Sequence, residues 1–166
     1  MKKIAAWAVC LIALPALGDA GNWKLKLSGY QEVPSVSTLA EGTFEAKAAG
    51  DWNSIEWTLS YSGLQAPILQ AHIHFAQAAV NGPIVIWLCQ TSAAPAPASQ
   101  SATQTCPASG TITGTITSSN VLAAPSTQQL AAGEIGEVIS AMLAGAAYVN
   151  VHTSVSPGGE IRGQFK

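Results

Sequence analysis

Charge is scarce in this chain, which carries seven Lys and Arg and nine Asp and Glu among 166 residues. Beyond its first three residues the only basic cluster is Lys24 with Lys26. Contacts to phosphate need grouped cations, so nucleic-acid binding is disfavoured. Cys-x-x-Cys spacing is absent, no Ser/His/Asp or Cys/His arrangement stands out, and no pair of carboxylates suits glycoside chemistry. A hydrolase is therefore not expected, and no catalytic residue is assigned. No apolar run beyond residue 17 approaches the roughly 20 residues that span a bilayer.

The one long apolar run is at the start. Met1-Lys2-Lys3 is a short basic region, residues 4–17 are apolar and broken by Pro15, and Gly18-Asp19-Ala20 are small or polar. This is the pattern of a removed signal peptide over residues 1–20, with a mature domain over 21–166. Cys10 lacks a lipobox-like context. The expected location is periplasmic or secreted, with no membrane span in the mature chain.

Without the leader, Cys89 and Cys106 are the cysteines left. An even count in an oxidising compartment predicts a disulfide. The Ala, Pro, Ser, Thr and Gln composition of residues 90–105 reads as a floppy surface loop that this bridge would close.

Most of the mature chain alternates as strands do. Trp23-Lys24-Leu25-Lys26-Leu27, residues 42–48, Ile55 to Tyr61 on every second position, residues 84–88, Gly110-Thr-Ile-Thr-Gly-Thr-Ile-Thr117, residues 148–153 and residues 160–165 all fit, with Gly, Pro, Asn or Ser between them. Pro34 marks residues 30–34 as an edge or an irregular extended stretch. Ile135, Val138, Ile139, Met142 and Leu143 instead share one helical face, and Gly145 is placed to end that helix. The pattern predicts a single mainly β domain, a sandwich or barrel with one short helical insertion.

Histidine is as rare as cysteine, and its placement is not random. His72 and His74 lie two apart in Gln70-Ala-His-Ile-His-Phe75, so they project from the same face of a strand, with Ala71 and Ile73 facing the core. His152 occupies the polar face of Tyr148-Val-Asn-Val-His-Thr153. Three imidazoles on polar strand faces suit zinc or copper. If residues 160–165 pair with this strand, Tyr148, Asn150, His152, Glu160, Arg162 and Gln164 share a surface with the pair. Glu32, Tyr148, Glu160 and Arg162 are then further ligands or outer partners of the site, where a carboxylate or amide orients a ligating ring.

Four stretches also carry a family resemblance: Leu27-Ser-Gly-Tyr-Gln-Glu-Val-Pro34, Ala71-His-Ile-His74 followed by Asn81-Gly-Pro-Ile-Val85, Tyr148-Val-Asn-Val-His-Thr153, and Pro157-Gly-Gly-Glu-Ile-Arg-Gly-Gln164. In that order they resemble the chordin-type (CHRD) domain. The resemblance implies an exported domain, found both in chordin, an extracellular antagonist of bone morphogenetic proteins, and in many microbial proteins of poorly defined activity. The loop over 90–105 looks longer than the usual connection.

The order His72, His74, His152, Arg162 is more loosely similar to the copper,zinc superoxide dismutase barrel, which implies Greek-key connections. No fourth His is present to bridge copper to zinc, and no zinc cluster is evident. The expected function is an exported metal-binding protein holding copper, or zinc as the alternative, at His72, His74 and His152 for storage, delivery or tolerance. A redox enzyme with Arg162 attracting superoxide is one alternative. A metal-free module for a protein or glycan is another, and a homodimer or an extracytoplasmic partner is compatible with either.

Overall fold

The computed structural model describes residues 21–166; the leader expected over residues 1–20 lies outside the described residues. Eight strands follow in order: β1 Asn22–Ser28, β2 Glu41–Ala48, β3 Ser54–Ser62, β4 Ile68–Phe75, β5 Ile84–Cys89, β6 Gly110–Thr117, β7 Ala147–Thr153 and β8 Ile161–Gln164, with helix α1 Ile135–Leu143 between β6 and β7. All named pairings are antiparallel, and the spatial order is β5-β4-β7-β8-β1-β2-β3-β6. Because β3 pairs with β6 and β4 with β7, the chain crosses over between β3 and β4, a connection of Greek-key type.

Alternation in the sequence sets which face is apolar. Leu25, Leu27, Phe44, Ile55, Leu59, Ile73, Val149, Val151 and Ile161 all fall on the inner face and are buried. Phe165 joins them, edge-on to both Trp23 and Phe44 at ring distances of 5.8 and 5.9 Å. Helix α1 buries Ile135, Val138, Ile139 and Met142, whereas Leu143, expected on the same face, is 39% exposed at the last turn. Gly145 takes φ +69° just beyond it, the left-handed conformation that ends helices at little cost to glycine.

The barrel does not quite close. Strands β5 and β6 are its two edges, and the chain between them bridges the seam. A Cys89–Cys106 disulfide closes this segment, as the cysteine count predicts. The loop is not floppy: Gln90 pairs with Thr105 as an isolated parallel bridge, its amide nitrogen donates to Thr103 O, and its Oε1 accepts from Ala96 N. Gln100 is buried and donates to Ser119 O at 2.9 Å. Backbone bonding by two glutamines orders a composition that has no large apolar residues to pack.

The stretch around Pro34 is irregular, as expected, with a short 3-10 turn at Gly29–Gln31 and a cis Val33–Pro34 bond. Residues 29–40, which link β1 to β2, lie against the outer face of β7 and the start of β8, where Glu32 comes beside Asn150 and Gly159. Thr38 donates to Glu160 at 2.8 Å, and Asn81, in the β4–β5 loop, donates to Val33 O at 2.7 Å. Those two segments convert an outer sheet face into a second, polar interior.

Candidate metal centre

The register of β4 against β7 brings the histidines together. His72 lies opposite Asn150 and Gln70 opposite His152, so His72 and His152 are diagonal neighbours on one face. Their Nδ1 and Nε2 atoms are 3.2 Å apart. The ring of His74 is 5.4 Å from that of His72 and 6.0 Å from that of His152. One nitrogen from each ring falls within 4.8 Å of the others. Nitrogens bound to a common ion at about 2.0–2.1 Å stand roughly 3.4–4.1 Å apart, so small side-chain rotations close the set.

The three rings are 0%, 7% and 5% exposed, in the order His72, His74, His152. Burial disfavours their charged forms. It holds His72 down to about 2 and His74 to about 4, and it also lowers His152; the neighbouring imidazoles push His72 further the same way. All three are neutral at physiological pH, the form that binds a metal.

Backbone carbonyls orient two of the rings. His74 donates from Nδ1 to Gly82 O at 2.9 Å, and His152 donates from Nδ1 to Pro157 O at 2.9 Å. A carbonyl can only accept, so each neutral ring carries its proton on Nδ1; Nε2 of His152 then meets His72 Nδ1 at 3.2 Å and Asn150 Oδ1 at 2.8 Å. Among the described residues, His74 Nε2 and His72 Nε2 are buried with no hydrogen-bond partner, as is Glu32 Oε1. Unpaired buried groups of this kind are costly and rare. The unpaired His74 Nε2 is an open donor in the cluster, whereas His72 meets His152 through Nδ1.

Aromatic rings wall the cluster. Tyr148 lies parallel to His74, with centroids 4.7 Å apart and planes 4° from each other, and its hydroxyl accepts from Gly82 N. Trp87 meets His72 edge to face at 4.2 Å. The Arg162 guanidinium sits 3.3 Å from the centroid of Tyr148 and donates to Asn81 Oδ1, Val80 O and Gln164 Oε1.

The outer residues expected from sequence are therefore distributed unevenly. Tyr148 touches the cluster and Arg162 touches Tyr148. Glu32 is buried beside Asn150 and Gly159, where a Cβ on Gly159 would come within 2.4 Å of Glu32 Oε1 and 2.7 Å of Asn150 Nδ2. Burial raises the Glu32 carboxyl to about 7, against the pull of the Arg162 charge. Glu160 stands apart from the cluster: its oxygens accept from Thr38 Oγ1, Gln65 N and Thr153 Oγ1, and the carboxylate fastens three segments together.

Two contacts escaped the sequence reading. Asn150 lies on the shared face with nothing in the sequence to distinguish it, and its Oδ1 is 2.8 Å from His152 Nε2. Trp87 gave no signal within an otherwise apolar strand; only the β4–β5 register, which sets it opposite His72, shows its role.

A family model for the CHRD domain matches residues 23–165. No curated protein and no solved structure matches the chain.

Proposed function

The chain belongs to the CHRD-domain family, and from that premise we propose that it is an exported metal-binding protein whose His72, His74 and His152 hold copper, in preference to zinc, for storage, delivery or tolerance. The observation that carries this reading is the packing of three buried imidazoles with one nitrogen of each within 4.8 Å of the others, together with a His74 Nε2 that has no hydrogen-bond partner. Copper is preferred because imidazole sites follow the Irving-Williams order and an exported protein meets copper outside the cytoplasm. Gly82 O and Pro157 O would hold the rings in ligating orientation. A bound copper ion would supply redox capacity or simply be carried.

Export is supported by the leader-like composition of residues 1–20 and by the Cys89–Cys106 disulfide. Among the described residues no helix is long and apolar enough to cross a membrane. The carrier reading is favoured over a superoxide-directed enzyme because Arg162 is 1% exposed and its guanidinium is engaged by Asn81, Val80, Gln164 and Tyr148. A group so enclosed is poorly placed to draw in an anion.

The test is metal content and copper titration of the protein beside a His72/His74/His152 triple-alanine variant whose fold is checked by circular dichroism. About one copper per chain, absent from the folded variant, is the expected result. Equal binding by both proteins, or none by either, rejects the site and directs attention to a second copy or an extracytoplasmic protein as the partner.

A further inference from the structure

Resting on the three-histidine reading, we propose that this centre selects monovalent copper, and that the surroundings of the triad discriminate against divalent ions. The argument concerns what encloses the donors. Among the described residues no carboxylate belongs to the cluster, which consists of His72, His74 and His152. Glu160, the acidic residue nearest His152 in sequence, commits its oxygens to Thr38, Gln65 and Thr153. Glu32 lies outside the donor set, beside Asn150 and Gly159, with the Arg162 charge acting on it. An ion held by neutral imidazoles keeps its full charge.

That charge has to be buried, since the rings are at most 7% exposed. The self-energy lost when an ion leaves water grows with the square of its charge, so a divalent ion loses about four times what a monovalent one loses. Anionic ligands are the usual offset, and the cluster provides none. The walls act in the same direction. Trp87 meets His72 edge to face and the Tyr148 ring lies flat against His74, while Asn150 Oδ1, 2.8 Å from His152 Nε2, is a neutral oxygen that brings no charge to offset the ion. Zinc and cupric ions complete four or more positions, often with water or carboxylate. Cuprous ion is satisfied by two or three nitrogens. Arg162, seated on the ring of Tyr148, adds a fixed positive charge whose repulsion is larger for the more highly charged ion.

Asn150 offers a way to reverse the preference. Its Oδ1 lies 2.8 Å from His152 Nε2 and its Nδ2 bonds Glu32, so Asn150→Asp, made together with Glu32→Gln to keep a donor on that side, sets one anion beside the triad with almost no change of shape. The experiment measures cuprous affinity anaerobically, in ascorbate to spare the disulfide, by competition with bathocuproine disulfonate. Zinc and cupric affinities are measured by competition with chromophoric chelators. For the natural sequence the expected result is cuprous binding tighter than zinc or cupric binding by at least about a hundredfold. In the double variant that ratio is expected to fall by about tenfold or more.

Zinc or cupric binding as tight as cuprous binding, still dependent on the histidines, overturns this inference and leaves the metal-site reading standing. Absence of binding for all three ions overturns both. If the double variant does not fold, the ratio measured on the natural sequence decides the matter alone.

Discussion

His72 Nδ1 and His152 Nε2 lie 3.2 Å apart, buried, although eighty positions separate the two residues in the chain. Their approach follows from the antiparallel register of β4 and β7, which alone would leave them on a wet sheet face. The segments carrying Val33, Thr38 and Asn81 enclose that face and bring the rings to their neutral forms.

Acid is expected to destabilise the metal-free protein. Folded His72 and His74 titrate at about 2 and about 4, while unfolded imidazoles titrate near 6.5, so the unfolded chain takes up protons that the folded one refuses. The stability these rings retain at neutral pH is lost as the pH falls through about 6.5. Glu32 works in the opposite sense: raised to about 7 from 4.5, it holds a proton in the folded protein that the unfolded chain gives up. Each imidazole loses roughly 1.4 kcal/mol between about pH 7.5 and about pH 5.5, which outweighs the single carboxyl and leaves a net loss of about 1–2 kcal/mol. Urea unfolding at the two pH values checks this; an equal or higher midpoint in acid contradicts it.

Glu160→Leu removes the acceptor shared by Thr38 Oγ1, Gln65 N and Thr153 Oγ1. Three buried or half-buried donors lose their partner, and the expected cost is about 3 kcal/mol or more. Thermal unfolding would show a large fall in midpoint. A change within about 0.5 kcal/mol would show that these segments are held by packing instead.

Gly159 adopts φ +127°, and a Cβ there would lie 2.4 Å from Glu32 Oε1 and 2.7 Å from Asn150 Nδ2. Gly159→Ala therefore combines backbone strain with displacement of two side chains next to the triad. A destabilisation of about 1–3 kcal/mol is expected from denaturant unfolding. Unchanged stability would mean that the loop over 154–159 shifts freely.

The Cys89–Cys106 bridge spans 17 positions, for which the chain-entropy model gives about 3 kcal/mol. A double Cys→Ser variant is expected to lose about that much in chemical denaturation while keeping its metal stoichiometry, because the bridge closes the barrel seam and not the triad. Loss of metal from a variant that is still folded would tie the loop to the centre.

Much of this arrangement was legible in the residues. Strict alternation in Trp23-Lys-Leu-Lys-Leu27 and from Ile55 to Tyr61 specifies strands with one apolar face, and the 3-4 spacing from Ile135 specifies the helix. His-x-His places two rings together because strands repeat every two residues. What the residues did not reveal is the enclosure. Burial of the polar face depends on side chain to backbone bonds from distant segments, such as Asn81 to Val33 O, and these leave no periodic trace. Glu160 and Glu32 look alike in sequence, and only their partners separate a fastening carboxylate from one beside the triad.

The copper K-edge X-ray absorption spectrum of the loaded protein tests the central claim most directly. A fit by about three nitrogen scatterers near 2.0 Å, with the outer-shell pattern of imidazole rings, is the predicted result. A shell dominated by oxygen or sulfur, with no imidazole pattern, would contradict a centre built from His72, His74 and His152.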